Sequence, residues 1–245
     1  MLRRRFEDVF PELPPIEFSD YVVDALPVGD DVRLRYFKEY AFVPDQLFAE
    51  LATDERILRA VVGEGCEDAL LPLQERVKSL RRWVGLQKVP VVIDLVKAEM
   101  AAGEGKLVIF ASHRDVVEEL RRGLRDFGAV ALTGATPGNR REMLVRTFAA
   151  DPQVHVFIGQ INACGVAIDL SAASDILMVE ADWVPANNAQ AVMRCRHMNQ
   201  KNKVRVRFVG LAGSMDERIQ QVLRRKTRVL TELFDKQDEP ADIFS

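Results

Sequence analysis

The chain has 245 residues and a formal net charge of −3, with 48% hydrophobic and 29% charged residues. This composition is ordinary for one or two globular domains with a sizeable core. The slightly acidic balance excludes a basic, nucleic-acid-binding surface over the whole molecule, so any basic surface must be local.

Cysteine and histidine spacing gives no sign of a metal site or a disulfide framework. The cysteines are Cys66, Cys164 and Cys195, and we expect them to be reduced thiols. The three histidines are spread along the chain without metal-ligand spacing. The sequence contains neither a run of 18 apolar residues nor a signal-peptide core, so we expect a non-secreted, cytoplasmic protein of prokaryotic or phage type.

Residues 1–29 are predicted to form a linker segment that includes one strand. Pro14 and Pro15 impose an extended backbone, as expected between two rigid bodies. Partial alternation of apolar side chains over residues 17–26 is consistent with a strand. The alternative for the first 15 residues is a basic arm with a polyproline turn.

Residues 30–89 are predicted to form a helical subdomain of two or three helices. Apolar residues recur there at helical spacings, with breaks near Gly63 and Pro72. Five basic residues either contact phosphates or form a solvated helix face: Arg76, Lys78, Arg81, Arg82 and Lys88.

Residues 90–235 alternate between short apolar runs and helical patterns. A helix over Val91–Ala102 is expected to end at Gly103. Strands are then expected over 106–111, 129–132, 154–158, 176–179 and 204–211, with helices over 114–127, 138–149, a segment from near Asn188, and 214–233. Five strand–helix alternations predict an α/β fold of the RecA type, a parallel sheet with helices on both faces. The acidic tail, residues 236–245, is expected to fray.

Three of the expected helices begin with capping sequences. Ser112 with Asp115, and Ser214 with Glu217, have the spacing of capping boxes. Thr136 precedes a proline at the start of the helix expected over 138–149, where it is predicted to act as the N-cap.

A polar and cationic cluster follows the strand expected over 176–179. Gln190 and Arg194 are four residues apart, and Arg194 and His197 are three apart. All three share one face if the helix continues past them. An amide, a guanidinium and an imidazole on one face just after a sheet suit the binding of a polyphosphate.

Two motifs in this region resemble a known family. The chain reads Asp182-Trp183-Val184-Pro185 and then, from Gln190 to Gln200, Gln-Ala-Val-Met-Arg-Cys-Arg-His-Met-Asn-Gln. They resemble the Trp-Asn-Pro and Gln-Ala-x-x-Arg-x-x-Arg-x-Gly-Gln motifs in the second motor lobe of superfamily-two helicases, in the Swi/Snf-related branch of DNA translocases. The flanking residues are most similar to the annealing-helicase-like members. The segment from Leu2 to Pro15 is similar to the family's connection between its two lobes, and the resemblance implies a helical protrusion at residues 30–89.

The resemblance implies ATP with Mg²⁺ as the cofactor and assigns a catalytic role to an arginine. Arg194 matches the first motif arginine, which stabilises the transferring phosphoryl group in such motors. The second motif arginine falls on His197, with Arg196 one residue early. A shift of one residue rotates a helical side chain by about 100°, so Arg196 and His197 are both candidates.

The loop over residues 160–170 resembles the family's Ala-Gly-Gly-x-Gly-Ile-Asn-Leu loop. Gly165 is kept, Cys164 and Ala167 replace glycines, and Asp169 replaces asparagine. The implied nucleotide-binding residues are therefore Gly165, Asp169 and Gln190. Asp169 either accepts a hydrogen bond from a ribose hydroxyl or the other lobe, or caps the residues that follow it.

The resemblance also implies sequence-independent contacts to the DNA backbone at the ends of adjacent strands. The candidate DNA-binding residues are Ser112, His113, Thr133, Gly134 and Asn162. Trp183 is interpreted as a packing residue rather than a base-stacking one. The basic run that begins at Lys201 forms either a DNA-facing or lobe-facing patch, or the exposed side of an edge strand.

The sequence resembles only one of the two lobes of the family's ATPase motor. It contains neither G-x-x-x-x-G-K-[ST] nor an Asp-Glu-x-His pair after a strand. We therefore expect the Mg²⁺ ligands and the phosphate cradle to come from a first-lobe ATPase polypeptide, and no ATP hydrolysis by this chain alone. A split gene, a truncation and a dissected fragment all fit this pattern. The alternatives are a regulatory module that binds DNA or a partner without catalysis, and an unrelated α/β enzyme that matches by chance.

Overall fold

The computed structural model describes residues 14–24, 71–103, 105–164, 168–196, 200–212 and 214–237. Residues 1–13 and 25–70, which carry most of the predicted linker and helical subdomain, lie outside the described residues. Both assignments therefore stay predictions. None of the helices within the described ranges is long and apolar enough to span a membrane.

The described chain forms one six-stranded sheet with five helices. In chain order the elements are β1 Ile16–Val23, α1 Leu71–Ala101, β2 Leu107–Ala111, α2 Arg114–Gly123, β3 Val130–Leu132, α3 Gly138–Ala150, β4 Val156–Gln160, β5 Asp175–Met178, α4 Pro185–Met193, β6 Val204–Leu211 and α5 Met215–Gln237. Short 3₁₀ helices, Arg125–Phe127 and Ile161–Ala163, follow α2 and β4. The strand order is β1-β6-β5-β2-β4-β3, and every pair is parallel. The predicted parallel α/β fold is confirmed.

Alternating side chains of each strand fill two cores, one on each face of the sheet. In β2, Ile109 packs in the core beneath α1 and α2, whereas Val108 and Phe110 pack in the core beneath α3, α4 and α5. All three side chains are fully buried. Strands covered on both faces have no polar side, which explains the uninterrupted apolar runs in the sequence.

The sheet has a topological switch point between β2 and β5. These two strands are neighbours, but β2 continues into α2 on one face and β5 continues into α4 on the other. Open parallel sheets bind ligands in the crevice outside the carboxyl ends of the strands at such a point. The residues after β2 and β5 are therefore the expected place of a ligand site.

Helix α1 begins earlier than the sequence predicts. The prediction of a helix start at Val91 is wrong, because α1 begins at Leu71 and runs through Pro90 to Ala101. Proline has no backbone N–H, so one carbonyl in the preceding turn of the helix lacks its usual partner. Pro90 is exposed, so water can donate to that carbonyl instead. The predicted division at residue 89 falls inside this helix.

Strand β6 lies between β1 and β5, so the interpretation of its basic residues as the exposed side of an edge strand is wrong. Arg207 donates hydrogen bonds to Glu99 and Asp175, and Arg205 pairs with Asp175. Further ion pairs are Lys203–Glu17 and Arg224–Asp20. Acidic partners beside these groups weaken the case for a DNA-facing patch, since they cancel much of its positive charge.

Two of the three predicted helix caps are wrong. At α2 no side-chain cap bond forms, and Asp115 instead pairs with Arg82. At α3, the Thr136 hydroxyl accepts a hydrogen bond from the Thr133 backbone N–H rather than from the helix. The cap of α5 is confirmed, because the Ser214 hydroxyl accepts from the Asp216 N–H at 3.2 Å.

Candidate functional site

The carboxyl edge of the sheet brings several predicted DNA-binding residues together through one side chain. The Gln160 Oε1 atom accepts from the Gly134 N–H at 3.0 Å, and its Nε2 donates to the Ser112 carbonyl at 3.1 Å. Gln160 therefore bridges the ends of β2 and β3 from the end of β4. Gln160 is not among the residues predicted from the sequence, although a polar residue that ends an apolar strand is a usable signal.

Arg141 fixes the same edge from helix α3. Its Nε donates to the Thr136 carbonyl at 3.0 Å, and its Nη1 donates to the Ala163 carbonyl at 3.1 Å. These bonds tie the loop after β3 to the 3₁₀ helix after β4. Sequence reasoning missed Arg141 because its partners are backbone carbonyls, which leave no pattern in the sequence.

Thr133 and Asn162 take different positions at this edge. Thr133 is buried, with 5% of its surface exposed, whereas Asn162 is exposed. The Asn187 side chain of α4 donates to Asn162 Oδ1 at 3.3 Å. A phosphate contact is thus easier for the Asn162 side chain than for the Thr133 hydroxyl.

A carboxylate from the end of β5 occupies the N-terminus of α2. Glu180 Oε2 accepts from the backbone N–H groups of Ser112 and His113 at 3.1 and 2.9 Å, and Glu180 Oε1 lies 2.7 Å from His113 Nδ1. Burial alone would raise the pKa of Glu180, but the hydrogen bond and charge of His113 and the charge of Lys88 lower this pKa overall. A DNA phosphate would have to displace Glu180 to reach these two amides.

Helix α4 ends sooner than a continuous helix through Asn199 would require. Its last residue is Met193, and Arg194 is the C-cap with right-handed helical backbone angles. Arg194 therefore keeps its four-residue offset from Gln190, which is exposed. The prediction that His197 shares a helical face with Gln190 and Arg194 requires a helix that continues past Arg194, and α4 ends before that point.

The end of α4 lies against the segment that carries Asp169. The Leu170 N–H donates to the Arg194 carbonyl at 2.8 Å, which brings two predicted nucleotide-site residues near each other. Asp169 Oδ1 accepts from the Ser171 N–H at 2.9 Å, as the capping interpretation predicts. Asp169 is also exposed, so this bond leaves part of its carboxylate accessible.

The other residues predicted near Arg194 are not gathered at one point. The Arg196 Nε donates to the carbonyl of Pro14, just before β1, at 2.7 Å. His197 and Gly165 lie outside the described residues. Among the three predicted catalytic residues, Arg194 is the one that the described structure joins to the Asp169 segment.

An open cavity of about 660 Å³ lies beside this segment. Helix α3 lines one wall with Gly138, Arg141 and Val145, and Ile168 with Asp169 lines the other. Arg141 therefore contributes both to the cavity wall and to the contacts that hold the two loops at the carboxyl edge.

Two residues predicted as phosphate contacts are buried and serve the fold instead. Lys88 is fully buried and donates to the Val179 carbonyl, to the Val209 carbonyl at 3.0 Å and to Asp216 Oδ2 at 2.7 Å. Arg81, 8% exposed, lies over the Trp183 ring. For both, the phosphate-contact interpretation is wrong because neither group reaches solvent. The packing interpretation of Trp183 is confirmed by its burial.

The thiols near the site are shielded from solvent. Cys164 and Cys195 are both buried and free. Burial raises the pKa of the Cys164 thiol to about 12 and raises that of Cys195 as well. These thiols are suited to packing rather than to nucleophilic chemistry. Within the described ranges, no group of three or more His, Cys, Asp or Glu residues could hold a metal ion.

The parallel six-stranded sheet with helices on both faces has the RecA-like fold of C-terminal ATPase lobes. Residues 87–199 match the family model of the helicase conserved C-terminal domain. The proteins to which the chain is similar are Swi2/Snf2-type helicases.

Two relatives illustrate how much of a larger protein this chain covers. The DNA repair protein RAD5A of Arabidopsis thaliana is 28% identical over 153 residues, which are 62% of this chain and 15% of that protein. The DNA annealing helicase and endonuclease ZRANB3 of Mus musculus is 23% identical over 231 residues, which are 94% of this chain and 20% of that protein. The chain thus spans a fifth or less of these two relatives.

Solved structures of isolated second lobes share the fold. The C-terminal part of the Fun30 ATPase domain superposes with a TM-score of 0.62 at 15% identity, covering 92% of this chain and all of that one. The Sulfolobus solfataricus SWI2/SNF2 ATPase C-terminal domain gives a TM-score of 0.55 at 16% identity, covering 93% of this chain and 89% of that one.

Proposed function

We propose that this chain is the second lobe of an ATP-dependent double-stranded-DNA translocase. It supplies an arginine and DNA backbone contacts to an ATP-binding first lobe, which lies on another polypeptide or elsewhere in a longer protein. The observation that carries this proposal is the hydrogen bond from the Leu170 N–H to the Arg194 carbonyl, which holds Arg194 beside Asp169.

Arg194 is the proposed catalytic residue. A guanidinium aimed at a transferring phosphoryl group neutralises negative charge that develops in the transition state, and such arginines raise rates by about 10³–10⁵ in related systems. Arg196 is the weaker candidate, because its Nε donates to the Pro14 carbonyl. His197 stays a candidate from the sequence.

The residues present fit a shared ATP site rather than a complete one. Arg194 supplies a cation, and Gln190 and Asp169 are exposed hydrogen-bonding groups, the first four residues before Arg194 and the second next to Leu170, which bonds to the Arg194 carbonyl. The described residues include no carboxylate cluster for Mg²⁺. ATP supplies the phosphoryl group when bound, and Arg194 contributes positive charge to it. We propose that the Mg²⁺ ligands and the phosphate cradle belong to the first lobe.

The proposed DNA surface is the carboxyl edge held by Gln160 and Arg141. Exposed groups there include the Gly134 backbone and the Asn162 side chain. The Asn162 side chain suits contacts to phosphate oxygens, which position DNA without reading its sequence, whereas the Gly134 N–H would first have to leave Gln160 Oε1. His113 offers its ring from the N-terminus of α2, although Glu180 holds its Nδ1.

A second candidate is a regulatory module that binds DNA or a partner without catalysis. The replacement of the second motif arginine by His197 favours it, as does the bond between Arg196 and Pro14. The match of Gln190, Arg194 and Gln200 to the family motif favours the catalytic proposal instead.

Salt-dependent DNA binding tests the DNA half of the proposal. We expect the purified chain to bind unrelated duplexes alike, with dissociation constants of about 10⁻⁴–10⁻⁶ M at physiological salt. Raising the salt concentration should weaken this binding steeply. At a given salt concentration, Gln160→Ala should bind DNA more weakly than the wild type. Arg146→Ala, on the exposed side of α3, serves as the control. Tight, sequence-selective and salt-insensitive binding would contradict the proposal.

A further inference from the structure

One face of helix α1 contacts the segment that leads into α4. Arg81, Gly85 and Lys88 are spaced by four and three residues, so they share one side of the helix. All three are buried. Each of them has a contact within residues 179–183, between the end of β5 and the start of α4.

Lys88 joins the ends of two strands. Its three acceptors are the carbonyls of Val179 and Val209 and the carboxylate of Asp216. An ammonium has three N–H donors, so these bonds satisfy the buried group completely. Because a buried charge without partners is strongly unfavourable, this arrangement fixes the end of β5 to α1 and to the start of α5.

Arg81 and Gly85 hold the next residues of the segment. The Arg81 guanidinium donates to the Ala181 carbonyl and lies 4.5 Å from the centre of the Trp183 ring. A Cβ atom at Gly85 would lie 2.3 Å from Glu180 Oε1, so glycine is needed for α1 to approach this carboxylate. The α1 face therefore contacts four residues of the segment: Val179, Glu180, Ala181 and Trp183.

The segment in turn determines where α4 begins. The buried Asn188 side chain of α4 accepts from the Asp182 N–H at 2.7 Å and donates to the Asp182 carbonyl at 2.8 Å. Asp182 Oδ1 accepts from the Val184 N–H at 2.8 Å. Since α4 has nine residues and ends at Met193, a shift of its start would also move Arg194.

We propose that Arg81 and Lys88 are positioning residues for Arg194. They hold residues 179–183 against α1, and Asn188 transmits this position through α4. Helix α1 is thereby coupled to α4, the helix that carries Arg194. This inference rests on the proposed function for its catalytic consequence, but its structural part is testable on this chain alone.

Hydrogen exchange tests the structural part. We expect Arg81→Met and Lys88→Met each to speed amide exchange in residues 185–194 by about fivefold or more, because each removes contacts that hold the segment before α4. Arg82→Met is the matched control, since Arg82 is the next residue of α1 but pairs with Asp115. Amides of α3 should exchange as in the wild type in all three variants.

Trp183 supplies a spectroscopic readout. In a Trp83→Phe background, Arg81→Met should change the emission of Trp183, Arg81→Lys should restore it in part, and Arg82→Met should leave it unchanged. If Lys88→Met does not fold, the two Arg81 variants carry the test. Unchanged exchange in α4 together with unchanged Trp183 emission in folded Arg81→Met would overturn the inference.

Activity with the first lobe tests the catalytic part. Arg81→Met should lower kcat by about fivefold or more with little change in the KM for ATP, because it displaces a group that acts in the transition state. A loss confined to KM would overturn the positioning role. If the wild type shows no activity but exchange in α4 still rises in Arg81→Met, the proposed function fails while the coupling between α1 and α4 stands.

Discussion

His113 donates to Glu180 from its backbone N–H at 2.9 Å and lies 2.7 Å from the same carboxylate through its Nδ1. Glu180 is 2% exposed and His113 is partly exposed, so the carboxylate is the shielded member of this pair. It anchors the start of α2 to the end of β5, across the switch point of the sheet. In the absence of DNA, the Glu180 carboxylate therefore compensates the partial positive charge at the N-terminus of α2.

Replacing this carboxylate should destabilise the fold at neutral pH. Glu180→Gln loses the buried charge and one acceptor, and we expect a loss of about 2–4 kcal/mol in the free energy of unfolding. Glu118→Gln, at an exposed pair with Arg121, should change it by less than about 1 kcal/mol. Urea unfolding at pH 7 measures both variants, and equal effects would show that Glu180 is not a buried anchor.

The same residue predicts a pH dependence. Because the pKa of Glu180 is lower in the folded protein than its usual 4.5, the unfolded state binds more protons as the pH falls. The stabilisation is full above the unfolded pKa and is lost as the pH falls through the folded value. The stability difference between wild type and Glu180→Gln should therefore shrink below about pH 4.5. A difference that grows on acidification would contradict the lowered pKa.

Thr227 should tolerate the loss of its hydroxyl. The residue is fully buried, and among the described residues its Oγ1 has no hydrogen-bond partner. Thr227→Val keeps the shape and removes a buried polar atom, so we expect stabilisation by about 1 kcal/mol. In the control, Thr231→Val removes a hydroxyl that donates to the Thr227 carbonyl at 2.8 Å, and stability should not rise. Thermal unfolding of both variants tests this prediction, and destabilisation by Thr227→Val would contradict it.

Cys164 and Cys195 should not react in the folded protein. With a pKa of about 12 for Cys164 and a raised pKa for Cys195, neither thiol ionises appreciably at pH 8. In a Cys66→Ser variant, an aromatic disulfide reagent should label no thiol in buffer and two in denaturant. Rapid labelling of either cysteine in the native protein would mean that the buried thiols become exposed to solvent, and it would contradict the prediction.

The strands and their parallel order follow from local signals in the sequence. Strand β6, Val204–Leu211, has the bounds that its apolar run predicts. Short apolar runs separated by capped helices have few alternatives to a parallel α/β sheet. The carboxyl edge was likewise predictable as the place of Ser112 and Gly134, but the prediction that their strands are adjacent is wrong, because β4 lies between β2 and β3.

The partners of charged residues were not predictable, because they depend on contacts between distant parts of the chain. Arg196 bonds to Pro14, 182 residues away in the sequence, and Lys88 bonds to Asp216, 128 residues away. A basic residue on a helix looks the same in the sequence whether it faces solvent or a buried carboxylate. The capping prediction at Ser112 failed likewise, since Glu180 accepts the amides that a local cap would take.

The central claim is that Arg194 acts on ATP bound mainly by another lobe. The most direct test is the DNA-stimulated ATPase rate of this chain mixed with a first lobe that carries a phosphate-binding loop. We expect no hydrolysis by the chain alone and DNA-stimulated hydrolysis by the mixture. Arg194→Ala should lower the rate by about 10³-fold or more without an equal loss of DNA binding, whereas Arg146→Ala should change neither. Hydrolysis by the chain alone, or full activity of the mixture with Arg194→Ala, would contradict the account.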